Sequence, residues 1–383
     1  MDNISGFSSC ANCGACINTC PRDAISVSTN NIFYKLSVDE EKCIHCGKCV
    51  KVCPLNTFEP HLNLKAAYGG WCTSPEIIKR SSSGGVFSVI ADYVINKKGV
   101  VYGAVFSDDR RQVVFRSTKE VSLDEIRRSK YVESQPYYVF REIKSDLETG
   151  TAVLFCGSPC QVAGLIRYLG KDYNNLLTCD FACGGMASHK MYDDYILELE
   201  KKYHSKVRNV NFRPKVYGWS LHAIRIDFMN GKSYQNIGLY DPYMYSFVYG
   251  RTSIRENCFD CKFRENHYSD IIIADFWKWN TISDLQNSEK GISLILTNSQ
   301  KGEEIVNDIK SEMVIEELDL EEAAYNCCPN PTISKEDVSK RERFITLYRE
   351  AGLDKAAIES GMKHGIEAEL RKAYTILRRG IIK

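Results

Sequence analysis

Two apolar periods alternate along the chain. Short runs with β character occupy residues 24–27 and 33–38, around a polar turn at 28–31. Residues 99–106, 151–155, 271–274 and 291–297 read as further strands. Residues 86–96 and 191–203 space their apolar side chains as one face of a helix, and 162–169 and 301–313 are helix-like. From about residue 335 the pattern is helical, with Ile366, Leu370, Tyr374 and Leu377 on one face. Strands alternating with helices over the long middle region imply an α/β or α+β domain.

Composition narrows the class. The chain has 383 residues, room for two or three domains with one sizeable core. A net charge of +1 supplies no field for nucleic acid or an anionic membrane. Arg371, Lys372, Arg378, Arg379 and Lys383 form a local basic stretch, read as a solvated helix end in preference to a docking patch. No apolar run reaches the roughly 18–20 residues of a membrane span. The first residues lack a basic segment followed by an apolar one, so the expected location is cytoplasmic. Seventeen cysteines then require a reason. In a reducing compartment they are not a disulfide framework, and metal clusters are the alternative.

A repeat supplies the reason. Cys10, Cys13, Cys16 and Cys20-Pro21 recur as Cys43, Cys46, Cys49 and Cys53-Pro54, both in the spacing C-x2-C-x2-C-x3-C-P. Three cysteines at i, i+3 and i+6 wrap one corner of a cubane, and the fourth reaches the other cluster. Cys10, Cys13, Cys16 and Cys53 are therefore assigned to one [4Fe–4S] cluster, and Cys43, Cys46, Cys49 and Cys20 to a second. Gly14 and Gly47 let the loops close on them. Paired zinc knuckles use two cysteines each and fit this phase poorly. Residues 1–60 resemble two-cluster bacterial ferredoxins.

The larger region has neither G-x-G-x-x-G after a strand nor a P-loop. Its chemistry-bearing stretches are different. Residues 80–85, RSSSGG, run into a helix. The pattern fits a phosphate held by backbone N–H groups equally with a plain start capped by Ser82 or Ser83. Cys160 follows a strand, and Cys183 follows another apolar run. Cys258 and Cys261 form a C-x2-C. Spacing alone leaves a third cluster, a zinc site and free thiols open for these four. Cys156 and Cys179 are weaker candidate ligands, each reading as the buried end of a strand, and Cys72, Cys327 and Cys328 read as small core residues. His189 opens the helix after Cys183; proton transfer is a secondary reading for it.

In order along the chain, RSSSGGVF (80–87), SKYVES (129–134), GSPCQVAGL (157–165), RENCFDCKF (255–263) and DIIIADFW (270–277) resemble the coenzyme F420 hydrogenase/dehydrogenase beta subunit family. That family includes deazaflavin-oxidising dehydrogenase subunits and hydroxymethyl-chlorophyll reductase. The resemblance spans roughly residues 64–345. It implies FAD near Ser83, Gly84, Gly85, Lys130, Tyr131 and Ser134. It also implies a third [4Fe–4S] cluster on Cys160, Cys183, Cys258 and Cys261. The family usually has His at Gly184, Arg at His267, and Gly at Ala274 and Lys278, so its deazaflavin substrate is not carried over.

The expected fold class is α+β. A ferredoxin-like two-cluster module (1–62) precedes a mixed α/β flavin-binding domain (63–334) and a helical C-terminal segment (335–383). The expected function is an FAD- and iron–sulfur-dependent oxidoreductase moving electrons between ferredoxin, or another redox protein, and a small two-electron substrate. The alternative is an electron-transfer subunit without a substrate of its own. No catalytic base is assigned.

Overall fold

Left-handed glycines shape the first module in the computed structural model, which describes residues 3–5, 7, 9–285, 290–327 and 335–378. Gly14 (φ 86°) and Gly47 (φ 70°) precede the short helices Ala15–Thr19 and Lys48–Lys51. A side chain at either would be strained, and at Gly14 a Cβ would also meet Pro136 at 2.9 Å. Strands β1 (Ile25–Ser28) and β2 (Lys35–Val38) pair antiparallel, with Ile25 opposite Val38. The module buries Ile4, Ile17, Ile25 and Val52 together with Cys13, Cys16 and Cys49.

The second region is built on strands β3 (Ala66–Cys72), β4 (Val100–Phe106), β5 (Val113–Ser117), β6 (Ser134–Gln135), β7 (Val153–Cys156) and β8 (Leu176–Phe181). Strands β9 (Val207–Phe212), β10 (Ala223–Phe228), β11 (Ser233–Ile237), β12 (Ile271–Asp275), β13 (Ser293–Thr297) and β14 (Met313–Leu318) follow. Nine of them form one sheet in the order β14-β3-β13-β12-β8-β7-β4-β5-β6. Its centre, β12-β8-β7-β4, is parallel, and antiparallel strands flank it. Parallel strands are covered on both faces, which is why β7 and β8 read as continuous apolar runs. Along β4 the side chains alternate faces. Val101 and Val105 pack with the helix Val86–Asn96, while Val100 and Tyr102 pack with helices Val139–Glu148 and Pro159–Leu169.

Strands β9, β10 and β11 form a separate antiparallel sheet. Its apolar residues Val210, Phe212, Ile224 and Ile226 pack with Met191, Tyr192 and Ile196 of the helix His189–Tyr203. Phe344 and Leu353, on either side of the kink at Gly352 (φ 83°) in the helical segment Lys335–Glu359, close the same core. The last helix, Gly365–Arg378, turns Ile366, Leu370, Tyr374 and Leu377 outward, each at least 61% exposed.

Three expectations need correction. The helix expected to run to Met313 ends at Ile309, and Met313 opens β14, where it pairs with Cys72 on the sheet edge. Neither Ser82 nor Ser83 caps the helix Val86–Asn96. Gly85 does so in a left-handed conformation (φ 89°) without a side-chain bond. Ser83 instead donates to Ile292 O at 2.9 Å. Strands β3, β5, β6, β9, β10, β11 and β14 go beyond the strands that the apolar pattern predicts. Cys328, Arg379, Lys383 and the side chain of Cys327 lie outside the described residues.

Candidate iron–sulfur and cofactor site

The eight cysteines of the repeat divide in space as four and four. Cys10, Cys13, Cys16 and Cys53 line one cavity of about 540 Å³. Cys20, Cys43, Cys46 and Cys49 line a second, much smaller one. The fourth cysteine of each run thus faces the other run's trio. Burial pushes the Cys10, Cys13 and Cys16 thiols up, and the neighbouring Cys53 adds to the rise in all three. Bare thiols crowded in this way repel as thiolates; a shared cation is what such a donor set fits. Cys16 also feels Cys49, so the two sets adjoin. Cys46 is the exposed member.

A third set gathers on the large domain. Cys160 lies in the first turn of the helix Pro159–Leu169, where the Ser158 N–H donates to Gln161 Oε1 at 3.0 Å. Cys183 follows β8, and Cys258 ends the short 3-10 turn Glu256–Cys258. Burial raises the Cys160 thiol well above its usual range, with Cys261 and Cys183 adding to it. Burial likewise takes Cys183 up to about 11 and Cys258 up to about 12. Cys261 neighbours Cys160, Cys183 and Cys258. The set adjoins the module as well. Cys13 is among the charges felt by Cys160, and a Cβ on Gly164 would stand 2.9 Å from Cys13 Cβ and 3.0 Å from its Sγ.

Buried polar groups fix the module onto the domain. Glu133, fully buried, accepts from Arg255 Nη1 and from the Tyr34 N–H at 3.1 Å. Arg255 Nε donates to Cys10 O at 2.9 Å and Arg255 Nη1 to Tyr34 O at 2.9 Å. His189 stacks on Tyr34 with ring centroids 3.7 Å apart, and its Nδ1 lies 3.4 Å from Glu133. This position makes His189 part of the joint; it does not line the cavity described next. Arg141 adds bonds to Asn18 O (2.9 Å), Ile17 O (3.2 Å) and Cys20 O (3.0 Å).

Beside the third set lies a cavity of about 300 Å³, at the carboxyl ends of the parallel strands. Ser83, Gly85, Lys130, Tyr131 and Ser134 line it, as do Cys156, Cys183 and Gly184. Gly84 does not. Its N–H is taken by Ser293 Oγ at 3.0 Å, and a Cβ there would meet Gly70 O at 2.6 Å. Lys130 Nζ donates to Ile126 O (3.1 Å) and Arg127 O (2.8 Å). Desolvation lowers its pKa to about 7. At Gly184 a Cβ would meet nothing within 4 Å, so its smallness leaves open space. Mostly apolar walls with a few convergent polar groups and the cations Arg127, Arg128 and Lys130 suit an organic cofactor with an anionic part.

One charged group carries no signal in the sequence. Arg213, 3% exposed, donates to Asp275 Oδ2 at 2.7 Å and Tyr131 Oη at 3.3 Å. Trp219 donates to Asp275 Oδ1 at 3.1 Å and stacks on Trp277 at 4.6 Å. Asp275 lines the cavity, so this cluster forms one wall. Burial, then the Arg213 charge, lower His222 to about 4. Asp275 and Trp277 belong to the DFW stretch that stands out in the sequence. Arg213 follows an edge strand of the second sheet, which the apolar pattern does not predict.

Comparison with known proteins agrees with these two parts. Residues 9–57 match the 4Fe-4S dicluster domain. Residues 150–323 match the family described as the C terminus of the coenzyme F420 hydrogenase/dehydrogenase beta subunit. Among solved structures, a chain of the F420-reducing [NiFe] hydrogenase complex from Methanosarcina barkeri, solved after xenon derivatization, is similar at 15% identity. That match has a TM-score of 0.45 and covers 77% of this chain and 96% of that one. No curated protein gives a significant match. The chain is thus an iron–sulfur redox protein, in which a 4Fe-4S dicluster domain is joined to a domain similar to the C-terminal part of the coenzyme F420 hydrogenase/dehydrogenase beta subunit.

Proposed function

We propose that this chain is an FAD- and iron–sulfur-dependent oxidoreductase moving electrons between a ferredoxin-type protein and a small two-electron substrate. The observation that carries the reading is adjacency. The set Cys20, Cys43, Cys46 and Cys49 adjoins Cys10, Cys13, Cys16 and Cys53. That set adjoins Cys160, Cys183, Cys258 and Cys261, and Cys183 is also in the cavity wall. Each set of four would hold one [4Fe–4S] cluster. Such clusters store single electrons, and FAD, when bound, supplies the exchange between these and a hydride.

The chain's own residues do the rest. Ser83, Gly85, Tyr131 and Ser134 would flank the cofactor. Gly84 supports them from behind. Lys130, held by backbone carbonyls, offers a cation to the cofactor's anionic part. Apolar walls keep water from the reacting face. Exposed Cys46 marks the side where a redox protein would dock.

Anaerobic purification with iron, sulfide and flavin quantification tests the proposal. Three clusters require about twelve iron atoms per chain, with one FAD. A flavin-free chain overturns the flavin claim, and about eight iron atoms remove the third cluster. The exposed apolar stripe Ile366, Leu370, Tyr374 and Leu377 favours a second reading, a subunit docked to a catalytic partner. A reductase assay with a low-potential donor separates the two. Turnover by the isolated chain supports the enzyme; turnover only within a complex supports the subunit.

A further inference from the structure

Cys156 and Cys179 stand outside the three sets. Cys156 ends β7, and Cys179 is its direct partner in the parallel register of β8. Partners on adjacent strands point to one face, and strands lie about 4.8 Å apart. A disulfide spans Cα separations of about 4.4–6.8 Å. Both side chains pack against the same apolar cluster, and the Cys179 thiol donates to Asp180 O at 3.7 Å. Their exposure differs in a useful way. Cys156 is half-buried and lines the cavity, whereas Cys179 is fully buried behind it. Lys130, also in the cavity wall, feels the charge of Cys156.

We propose that Cys156 and Cys179 form a redox-active dithiol in the cavity wall, oxidised to a disulfide by a low-molecular-weight disulfide entering that cavity. The Cys156 thiolate, beside the Lys130 ammonium, attacks one sulfur of the incoming disulfide. That S–S bond breaks, and the first small thiolate leaves and takes a proton. Cys179 then gives up its proton, and its thiolate attacks Sγ of Cys156 in the mixed disulfide. The Cys156–Cys179 bond forms as the second small thiolate leaves, protonated in turn. Two electrons and two protons pass from the protein to the small disulfide, which becomes two thiols. Cys156 is the accessible attacking thiol and Cys179 the resolving one. Neither iron nor flavin takes part, and because the proposed FAD would fill the same cavity, the step belongs to the flavin-free chain.

The test treats the anaerobically purified full chain, freed of any flavin, with excess bis(2-hydroxyethyl) disulfide, then alkylates and maps its peptides by mass spectrometry. The expected product is a peptide pair linked through Cys156 and Cys179. Dithiothreitol reverses it, and the iron content does not change. Cys179→Ser should instead accumulate a mercaptoethanol adduct on Cys156, and Cys156→Ser should leave Cys179 unmodified. A lasting adduct on wild-type Cys156 without the cross-link overturns the proposal. So does full alkylation of both thiols in the wild type after treatment, a result that needs no variant to fold.

Discussion

The first module and the nine-stranded domain hold themselves together differently. In the module, three of the eight buried residues of the core cluster are cysteines of the repeat. Its apolar content is small, as expected for a unit of about 60 residues. The large domain packs sheet against helix with many aliphatic and aromatic side chains, and the cysteines in that core, Cys72 and Cys179, are not among the candidate cluster ligands. The difference teaches that one chain can use metal ligation for one part and burial for the other, with a polar joint at Glu133 and Arg255 between them.

The largest expected effect comes from removing iron. Chelation under mild oxidation should open residues 9–57 to protease while the sheet domain survives as a resistant fragment. Loss of both parts in a single transition would break the comparison.

Next in size is the joint. Glu133→Ala leaves Arg255 buried without its carboxylate, a loss of about 3–5 kcal/mol in denaturant unfolding. Its marker is a loosened module, seen as faster amide exchange at Tyr34. Glu133→Gln, which keeps an acceptor, should cost less.

Leu154→Ala probes the other side. Leu154 is fully buried in the sheet core. Truncation should cost about 2–5 kcal/mol. Iron content at room temperature should not change, and a parallel loss of iron would show that the two regions share one core.

These tests bear on what sequence can reveal. The cluster loops are legible because cubane ligation demands cysteines at fixed local spacing, and the two runs are adjacent copies. The parallel strands β7 and β12 are also legible, since burial on both faces leaves short apolar runs. Strand β14 is not. Its residues Val314, Glu316 and Glu317 carry polar and exposed positions suited to an edge, so the preceding helix pattern runs into it. Gly84 is legible as important, but not for the reason the sequence suggests: it permits close packing of backbone on β3. The partners of Arg213 come from residues far apart in the chain, and no local pattern carries that information.

A last test concerns pH. Lys130 has a folded pKa lowered to about 7, below its ordinary 10.5. The cost of burying its ammonium is fully present below pH 7 and is relieved as pH rises toward 10.5. Unfolding free energy of the cofactor-free chain should therefore rise with pH in that window, and Lys130→Met should flatten the rise. Equal slopes in both proteins would remove Lys130 as its source.

The missing side chain at Gly164 has a consequence for traffic. Because Cys13 seats directly against that helix, the doorway to Cys160 is occupied by the chain's own module. A diffusible carrier cannot take that berth without evicting the resident one. On the proposed path a redox protein arriving from solvent would meet the exposed Cys46. On the proposed path the inner connection would belong to the chain itself, and only the outer one would face solvent, so the external partner could change without disturbing the seat within.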